Sequence, residues 1–246
     1  MTIALVGTGQ MGSAVAEAAR AADHTIGPTF NADRPLADAS AGALSGADVV
    51  VDFSLPSLAL DHIAHYVQAG IPAVIGTTGW YDAMDAVEAQ VQAHDAALLY
   101  APNFSIGVAV LRRAVQSAGA LMDALPDYDA FVHEVHHRKK VDSPSGTAQM
   151  LGETVLEALT RKTHIEPEAQ HARIDPEALH VTSTRAGAVF GEHTVAFDSP
   201  YDQIRLSHEA KSRDGFAAGA LAAAEWLPGR TGLYTLDDML DHLLDA

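Results

Sequence analysis

Ile3-Ala4-Leu5-Val6-Gly7-Thr8-Gly9-Gln10-Met11-Gly12-Ser13-Ala14 is the stretch whose reading decides the fold of this chain. Its first four residues are continuously apolar and read as a short buried strand, while the Ala-rich residues 13–20 favour a helix. Between them Gly7-x-Gly9-x-x-Gly12 turns the chain. A glycine turn alone is often no more than a turn. Set between a strand and a helix, it lets the backbone approach a pyrophosphate held by the free N–H groups of the helix N-terminus. The sequence therefore predicts a dinucleotide site at Gly7, Thr8, Gly9, Gln10, Met11 and Gly12.

The same unit repeats downstream. Residues 25–30 read as a second strand, and 48–53 as a fully buried parallel strand, because their apolar residues are continuous rather than alternating. Ser57 is expected to open a helix that Gly70 closes. Residues 71–75 form a strand ending in Gly76-Thr77-Thr78-Gly79, 81–94 a helix and 97–100 another strand. Strands alternating with helices at this spacing imply right-handed crossovers and an α/β, Rossmann-type, doubly wound parallel sheet. Ligands of such sheets sit beyond the C-terminal strand ends. The glycine turn, Phe53-Ser54, Gly76-Thr77-Thr78 and Ala101-Pro102-Asn103-Phe104 all fall at those ends.

An acidic residue at the end of the second strand would hold the ribose 2′-hydroxyl of NAD. Asn31 stands there instead, with Asp33 and Arg34 just beyond. A carboxylate would repel a 2′-phosphate, whereas Asn31 does not and Arg34 can pair with one, so NADH and NADPH both stay open.

From residue 106 the rhythm changes to a helix as far as 124, a strand from 131 to 136, a helix over 145–160, and strands at 179–185, 192–198 and 203–208. This is an α+β second domain, residues 105–214. A helix over 215–227 and a last one capped by Thr235 are expected to return to the first domain, which then comprises 1–104 and 215–246. The 246 residues carry 32 acids against 15 lysines and arginines, a net charge of −17 that argues against nucleic acid and anionic membrane surfaces as partners. The absence of cysteine excludes disulfides and thiolate metal sites. No apolar run is long enough for a membrane span, so a cytoplasmic location is expected.

The chemistry concentrates in Glu134-Val135-His136-His137-Arg138-Lys139-Lys140-Val141-Asp142-Ser143-Pro144-Ser145-Gly146-Thr147-Ala148, which packs two imidazoles, three cations and a helix start into fifteen residues. Two of the chain's four lysines are spent here, making a local positive site suited to an anion with more than one carboxylate or phosphate. His133-Glu134-Val135-His136-His137 also spells H-E-x-x-H. As a zinc motif that pattern needs a helix, and the preceding Tyr128-Asp129-Ala130-Phe131-Val132 is rich in strand formers, so no metal is expected. On a strand Glu134 and His136 share one face and His137 takes the other. Ser143, with Pro144 at the first helical position, or Ser145 one step later, caps the next helix. Its free N–H groups and the Thr147 hydroxyl make a carboxylate cradle.

This signature resembles that of the 4-hydroxy-tetrahydrodipicolinate reductase family, formerly dihydrodipicolinate reductase, of the diaminopimelate route to lysine. Further matches follow in the family's order: V-G-T-G-Q-M-G at 6–12, V-D-F-S at 51–54, G-T-T-G at 76–79, A-P-N-F-S-x-G at 101–107, R-A-G-x-V-F-G-E-H-T at 185–194 and H-x-A-x-S-R at 208–213. The resemblance implies a nicotinamide-binding Rossmann domain and a substrate domain that also builds a homotetramer. It implies His136 as proton donor or acceptor and Lys140 as second proton donor, acting on a cyclic dicarboxylate imine. His137, Gly146 and Thr147 would hold its carboxylates. Gly7 to Gly12, Asn31, Gly76, Thr77, Thr78, Ala101, Pro102, Asn103 and Phe104 would line the dinucleotide. Two positions depart from the family pattern. Asn31-Ala32 stands where many members have an acid followed by arginine, and Pro102 replaces an expected alanine while keeping its carbonyl. A reductase for another amino-acid precursor, a non-catalytic dinucleotide sensor and a zinc hydrolase are the competing readings.

Overall fold

In a computed structural model, which describes residues 1–40 and 42–244, the chain runs β1 (Thr2–Val6), α1 (Gln10–Ala21), β2 (Thr25–Phe30), β3 (Val49–Asp52), α2 (Ala59–Ala69), β4 (Ala73–Ile75), α3 (Met84–Ala93) and β5 (Ala97–Tyr100). It continues through α4 (Ile106–Asp123), β6 (Asp129–His136), α5 (Gly146–Ala158), β7 (His164–Glu166), β8 (Ala178–Arg185), β9 (Glu192–Asp198), β10 (Gln203–Glu209), α6 (Asp214–Trp226), β11 (Gly232–Thr235) and α7 (Leu236–Leu244). Two compact units result: Met1–Ile106 with Arg213–Ala246, and Gly107–Ser212.

The first unit is built on a parallel six-stranded sheet of order β11-β5-β4-β3-β1-β2. β3 is buried along its whole length, which explains why its sequence does not alternate. The register pairs Val6 with Asp52, Asp52 with Ile75 and Ile75 with Tyr100, so these four strands end level. The residues that follow, Gly7, Phe53, Gly76 and Ala101, therefore form one row along the sheet's C-terminal edge. The chain leaves β1 for β2 on one side and returns to β3 on the other, the crossing where open α/β sheets bind ligands.

Two local expectations give way. Ser57 does not cap a helix: it sits inside a 3₁₀ turn, Pro56–Leu58, and α2 begins only at Ala59. Gly70 does close α2, in the left-handed conformation at φ 64°. β7 and β11, three and four residues long, had no readable periodicity.

The second unit has a mixed sheet of order β10-β9-β6-β8-β7, with β6 parallel to β8 and antiparallel to β9. Leu111, Val115 and Met122 of α4 and Leu151 and Val155 of α5 pack with Val132, Val181, Val195 and Phe197 of the sheet. Each fully buried leucine or valine contributes about 1.5–3 kcal/mol. Along β6 the buried positions are Ala130, Val132, Glu134 and His136. The strand thus passes from apolar core to ionisable groups on one face, and those groups meet the start of α5. Among the described residues no helix is long and apolar enough to cross a membrane.

Candidate active site

At the C-terminal edge of the first sheet, Gly7 has φ +88°, and a Cβ there would stand 2.2 Å from the Phe53 carbonyl oxygen. A Cβ on Gly12 would stand 1.9 Å from the Gly7 oxygen. These two glycines are required by the turn itself. Gly9 is different, since a Cβ there would meet nothing within 4 Å. It is also the N-cap of α1, where no side chain caps the helix and no acid stands in the first turn. Open space in front of uncompensated N–H groups fits a phosphate of a dinucleotide.

Gly9, Gln10 and Met11 line a cleft of about 360 Å³ with Phe53, Ser54, Gly76, Thr77 and Thr78. Ala101 to Phe104 reach this region through the Phe104 ring, whose centroid lies 5.8 Å from that of Phe53. Asn31 turns its side chain into its own loop: Oδ1 accepts from the N–H groups of Asp33 and Arg34 at 3.0 Å, and Nδ2 donates to Thr8 Oγ1 at 3.3 Å. The end of β2 consequently presents an amide and no carboxylate at position 31.

Sequence reasoning missed what holds these loops. Asp52, 1 % exposed at the end of β3, accepts from the Ser54 N–H at 2.8 Å, Thr77 Oγ1 at 3.0 Å and Tyr66 OH at 2.6 Å, and lies 3.0 Å from His62 Nδ1. Burial alone would raise its pKa. Hydrogen bonds from His62, Tyr66 and Ser54, with the charge of His62, outweigh burial and hold it below the ordinary carboxylate value. One buried charge thereby ties α2, the β3 loop and the β4 loop together.

In the second unit the H-E-x-x-H residues lie on β6 and just after it, not on a helix. His133 Nδ1 is 2.8 Å from Thr182 Oγ1, and the His137 N–H donates to the Val189 carbonyl at 2.7 Å. His136 is 7 % exposed, with Nδ1 3.2 Å from Glu134 Oε2 but off the line of a hydrogen bond. Burial pushes its pKa down to about 4; the Glu134 charge opposes this, while His193, Lys140 and Arg185 add to it. Its imidazole is neutral at pH 7.

Lys140 pairs with Asp142 at 2.9 Å, while Arg138 and Lys139 are exposed. The cap of α5 is Ser145, whose Oγ accepts from the Ala148 N–H at 3.2 Å. Gly146 and Thr147 open the helix with no acid in the first turn, and Gly146 is exposed. The His137 Nδ1 is buried without a hydrogen-bond partner among the described residues. An imidazole beside a helix N-terminus that has no acid in its first turn suits a carboxylate.

Ser183, Arg185 and His193, which gather around Glu134, form the part of this site that periodicity did not indicate. Glu134 is fully buried, and Arg185 Nη2 donates both to its Oε1 at 2.8 Å and to the Asp142 carbonyl at 2.7 Å. Burial would raise the Glu134 pKa, but hydrogen bonds from His193, Ser145, Ser183 and Arg185 hold it well below the usual range. Glu134, His136 and His193 each bring one ligating atom within 4.8 Å of the others, yet the carboxylate already serves Arg185, Ser145 and Ser183. For Arg185 and His193 the sign in the sequence was the run from Arg185 to Thr194, whose partner Glu134 lies 51 and 59 positions upstream.

Family models described as the N-terminus and the C-terminus of dihydrodipicolinate reductase match residues 1–104 and 107–240. A 4-hydroxy-tetrahydrodipicolinate reductase of Christiangramia forsetii is 37 % identical over 243 residues, 99 % of each chain. One of Haloarcula marismortui is 39 % identical over 247 residues, 95 % of this chain and 96 % of that one. A solved structure, described as dipicolinate-bound dihydrodipicolinate reductase from Paenisporosarcina sp. TG-14, superposes with a TM-score of 0.79 over 96 % of this chain and 97 % of its own, at 18 % identity. With both halves matched in order and identity sustained end to end, the chain belongs to the dihydrodipicolinate reductase family.

Proposed function

We propose that this protein reduces 4-hydroxy-tetrahydrodipicolinate to tetrahydrodipicolinate with loss of water, in the diaminopimelate route to lysine. One observation carries the reading beyond the family: a buried imidazole, a lysine and a helix N-terminus with no acid in its first turn lie in the one segment from His136 to Thr147. The first unit takes NADH or NADPH along the row from Gly7 to Gly12, Asn31, Gly76 to Thr78 and Ala101 to Phe104. Position 31 offers a 2′-phosphate an amide in place of a repelling carboxylate, with Arg34 in the same loop, so NADPH is admitted as well as NADH. Reduced nicotinamide supplies the hydride when bound.

The second unit does the rest. The N–H groups of Gly146 and Thr147 at the start of α5, with His137, hold the carboxylates of a cyclic dicarboxylate, the class to which the dipicolinate of the solved relative belongs. Such a dianion competes with Asp142 for Lys140. Overall one hydride and one proton enter the ring and one water leaves. Hydride addition to a conjugated imine drives charge toward the ring nitrogen, so Lys140 and His136 are the groups placed to move the proton. The dianion also raises the proton affinity of His136, reversing part of the effect of burial. The same reading assigns a homotetramer.

The test is an assay of purified protein with freshly made substrate and either nucleotide, following loss of reduced-nicotinamide absorbance. Turnover is expected, and His136→Ala and Lys140→Ala should each lower kcat by about 10²-fold or more, the scale of acid–base catalysis. Nucleotide binding without turnover, or parental kcat in both variants, would overturn the reading.

A further inference from the structure

We infer that Glu134 is a positioning residue: it fixes the tautomer of His136, with the proton on Nδ1 and the lone pair on Nε2, and locks that ring to the start of α5. Glu134 is 0 % exposed in the strand between β8 and β9. A lone carboxylate there would cost several kcal/mol, so the surrounding donors are what let it stay charged. They divide by oxygen. Oε1 accepts from the Ser145 N–H at 2.9 Å, Ser183 Oγ at 2.7 Å and Arg185 Nη2 at 2.8 Å. Oε2 accepts from Ser145 Oγ and stands beside two rings, His193 Nε2 at 3.5 Å and His136 Nδ1 at 3.2 Å, the latter off the line of a hydrogen bond, so that its pull on the Nδ1 proton is that of a neighbouring charge.

An amide N–H and a guanidinium can only donate, so whatever side chain stands at 134 must put an acceptor at the Oε1 position. The Oε2 position is free to select. A carboxylate oxygen there favours a protonated nitrogen opposite it, which in a neutral His136 places the proton on Nδ1. Nε2 is then the lone-pair atom. The protein keeps side chains away from it: a Cβ on Gly191 would stand 2.9 Å from His136 Nε2. The groups facing the ring come from four segments, namely Glu134 on its own strand, Arg185 on β8, His193 on β9 with its ring 5.0 Å away at 74°, and Lys140 in the following loop. His136 therefore enters the reaction as an acceptor at Nε2 and must be loaded before it can donate, which leaves Lys140 as the first donor.

Substituting Glu134→Gln tests the arrangement sharply. The three donors at Oε1 hold the amide oxygen in place, so the NH₂ falls where Oε2 was and points a donor at His136 Nδ1. The tautomer should invert. Nitrogen-15 spectra of histidine-labelled protein at neutral pH, with His136 assigned from a His136→Gln sample, should show a protonated Nδ1 in the parent and in Glu134→Asp, and a protonated Nε2 in Glu134→Gln. The kinetic arm rests on the reductase reading. There, kcat of Glu134→Gln should fall about 10²-fold or more, the scale for a catalytic histidine misplaced or in the wrong tautomer, with nucleotide affinity unchanged. A parent ring protonated on Nε2, or a folded Glu134→Gln with the parental tautomer, overturns the inference. If Glu134→Gln does not fold, the parent and Glu134→Asp spectra decide it. Correct tautomers in a protein that turns over no substrate would sink only the reductase reading.

Discussion

Replacing Gly9 with alanine should separate binding from folding. The new Cβ meets nothing within 4 Å, and the N-cap φ of −68° is one that any residue adopts. Exchanging glycine for alanine at an N-cap costs under about 1 kcal/mol. For a chain of this length that is a fall in melting temperature of about 2–4 °C. The methyl nevertheless occupies the ground a phosphate must cross to reach the N–H groups of Gln10 and Met11. Losing one hydrogen bond to a charged group costs about 1.5–3 kcal/mol. At 1.4 kcal/mol per decade this weakens NADH or NADPH binding about 10- to 150-fold. Gly12→Ala is the contrast: its Cβ would lie 1.9 Å from the Gly7 oxygen, so α1 or the turn must shift, at about 1–3 kcal/mol or more. Calorimetric titration with each nucleotide, paired with thermal melts, reads both quantities. Gly9→Ala binding within two-fold of the parent, or melting as low as Gly12→Ala, would refute the assignment of that space to a ligand.

Two further outcomes follow from the buried polar groups. Asp52→Asn keeps an acceptor for Ser54 and Thr77 but turns an NH₂ toward Tyr66 and His62, losing two charge-assisted bonds worth about 3–6 kcal/mol together. Because the folded Asp52 pKa is lowered, its stabilisation is present above the unfolded value near pH ~4 and is lost as pH falls through the folded one. Urea midpoints measured down through that range should drop less steeply in the variant, and parallel curves would refute the claim. Gly191→Ala places a Cβ 2.9 Å from His136 Nε2 and 3.3 Å from its Cδ2, forcing the ring aside. Steady-state kinetics should show kcat down about 10-fold or more with nucleotide affinity intact, and unchanged kcat would count against that atom's role.

The parallel sheet was readable because its signal is local. Val49 to Asp52 are buried on both faces, and the glycine spacing after β1 has a backbone cause at Gly7 and Gly12. The strand character of β6 was readable too, through Phe131 and Val132 and the alternation that puts Glu134 and His136 on one face. Other features depend on partners distant in sequence. Gly232 to Thr235 is a strand only because it pairs with Ala97 to Tyr100. Ser57 looked like a cap, but Pro56 sets a 3₁₀ turn and the helix waits until Ala59. The choice between Ser143 and Ser145 as the cap of α5 was settled by Glu134, which takes the Ser145 N–H. Arg185 and His193 reach that same carboxylate from 51 and 59 positions away, beyond any periodicity.

The pairing of β11 with β5 has a consequence for biogenesis. Strand β11 leaves the ribosome about 130 residues after β5, on the order of 10 s later at ordinary elongation rates, and the whole second unit is made in between. Until then Ala97-Leu98-Leu99-Tyr100 offers an open, apolar edge to any passing chain. The nascent polypeptide is thus most prone to mispairing while its inserted unit is already able to close, and slowed translation of residues 107–212 would lengthen that exposure.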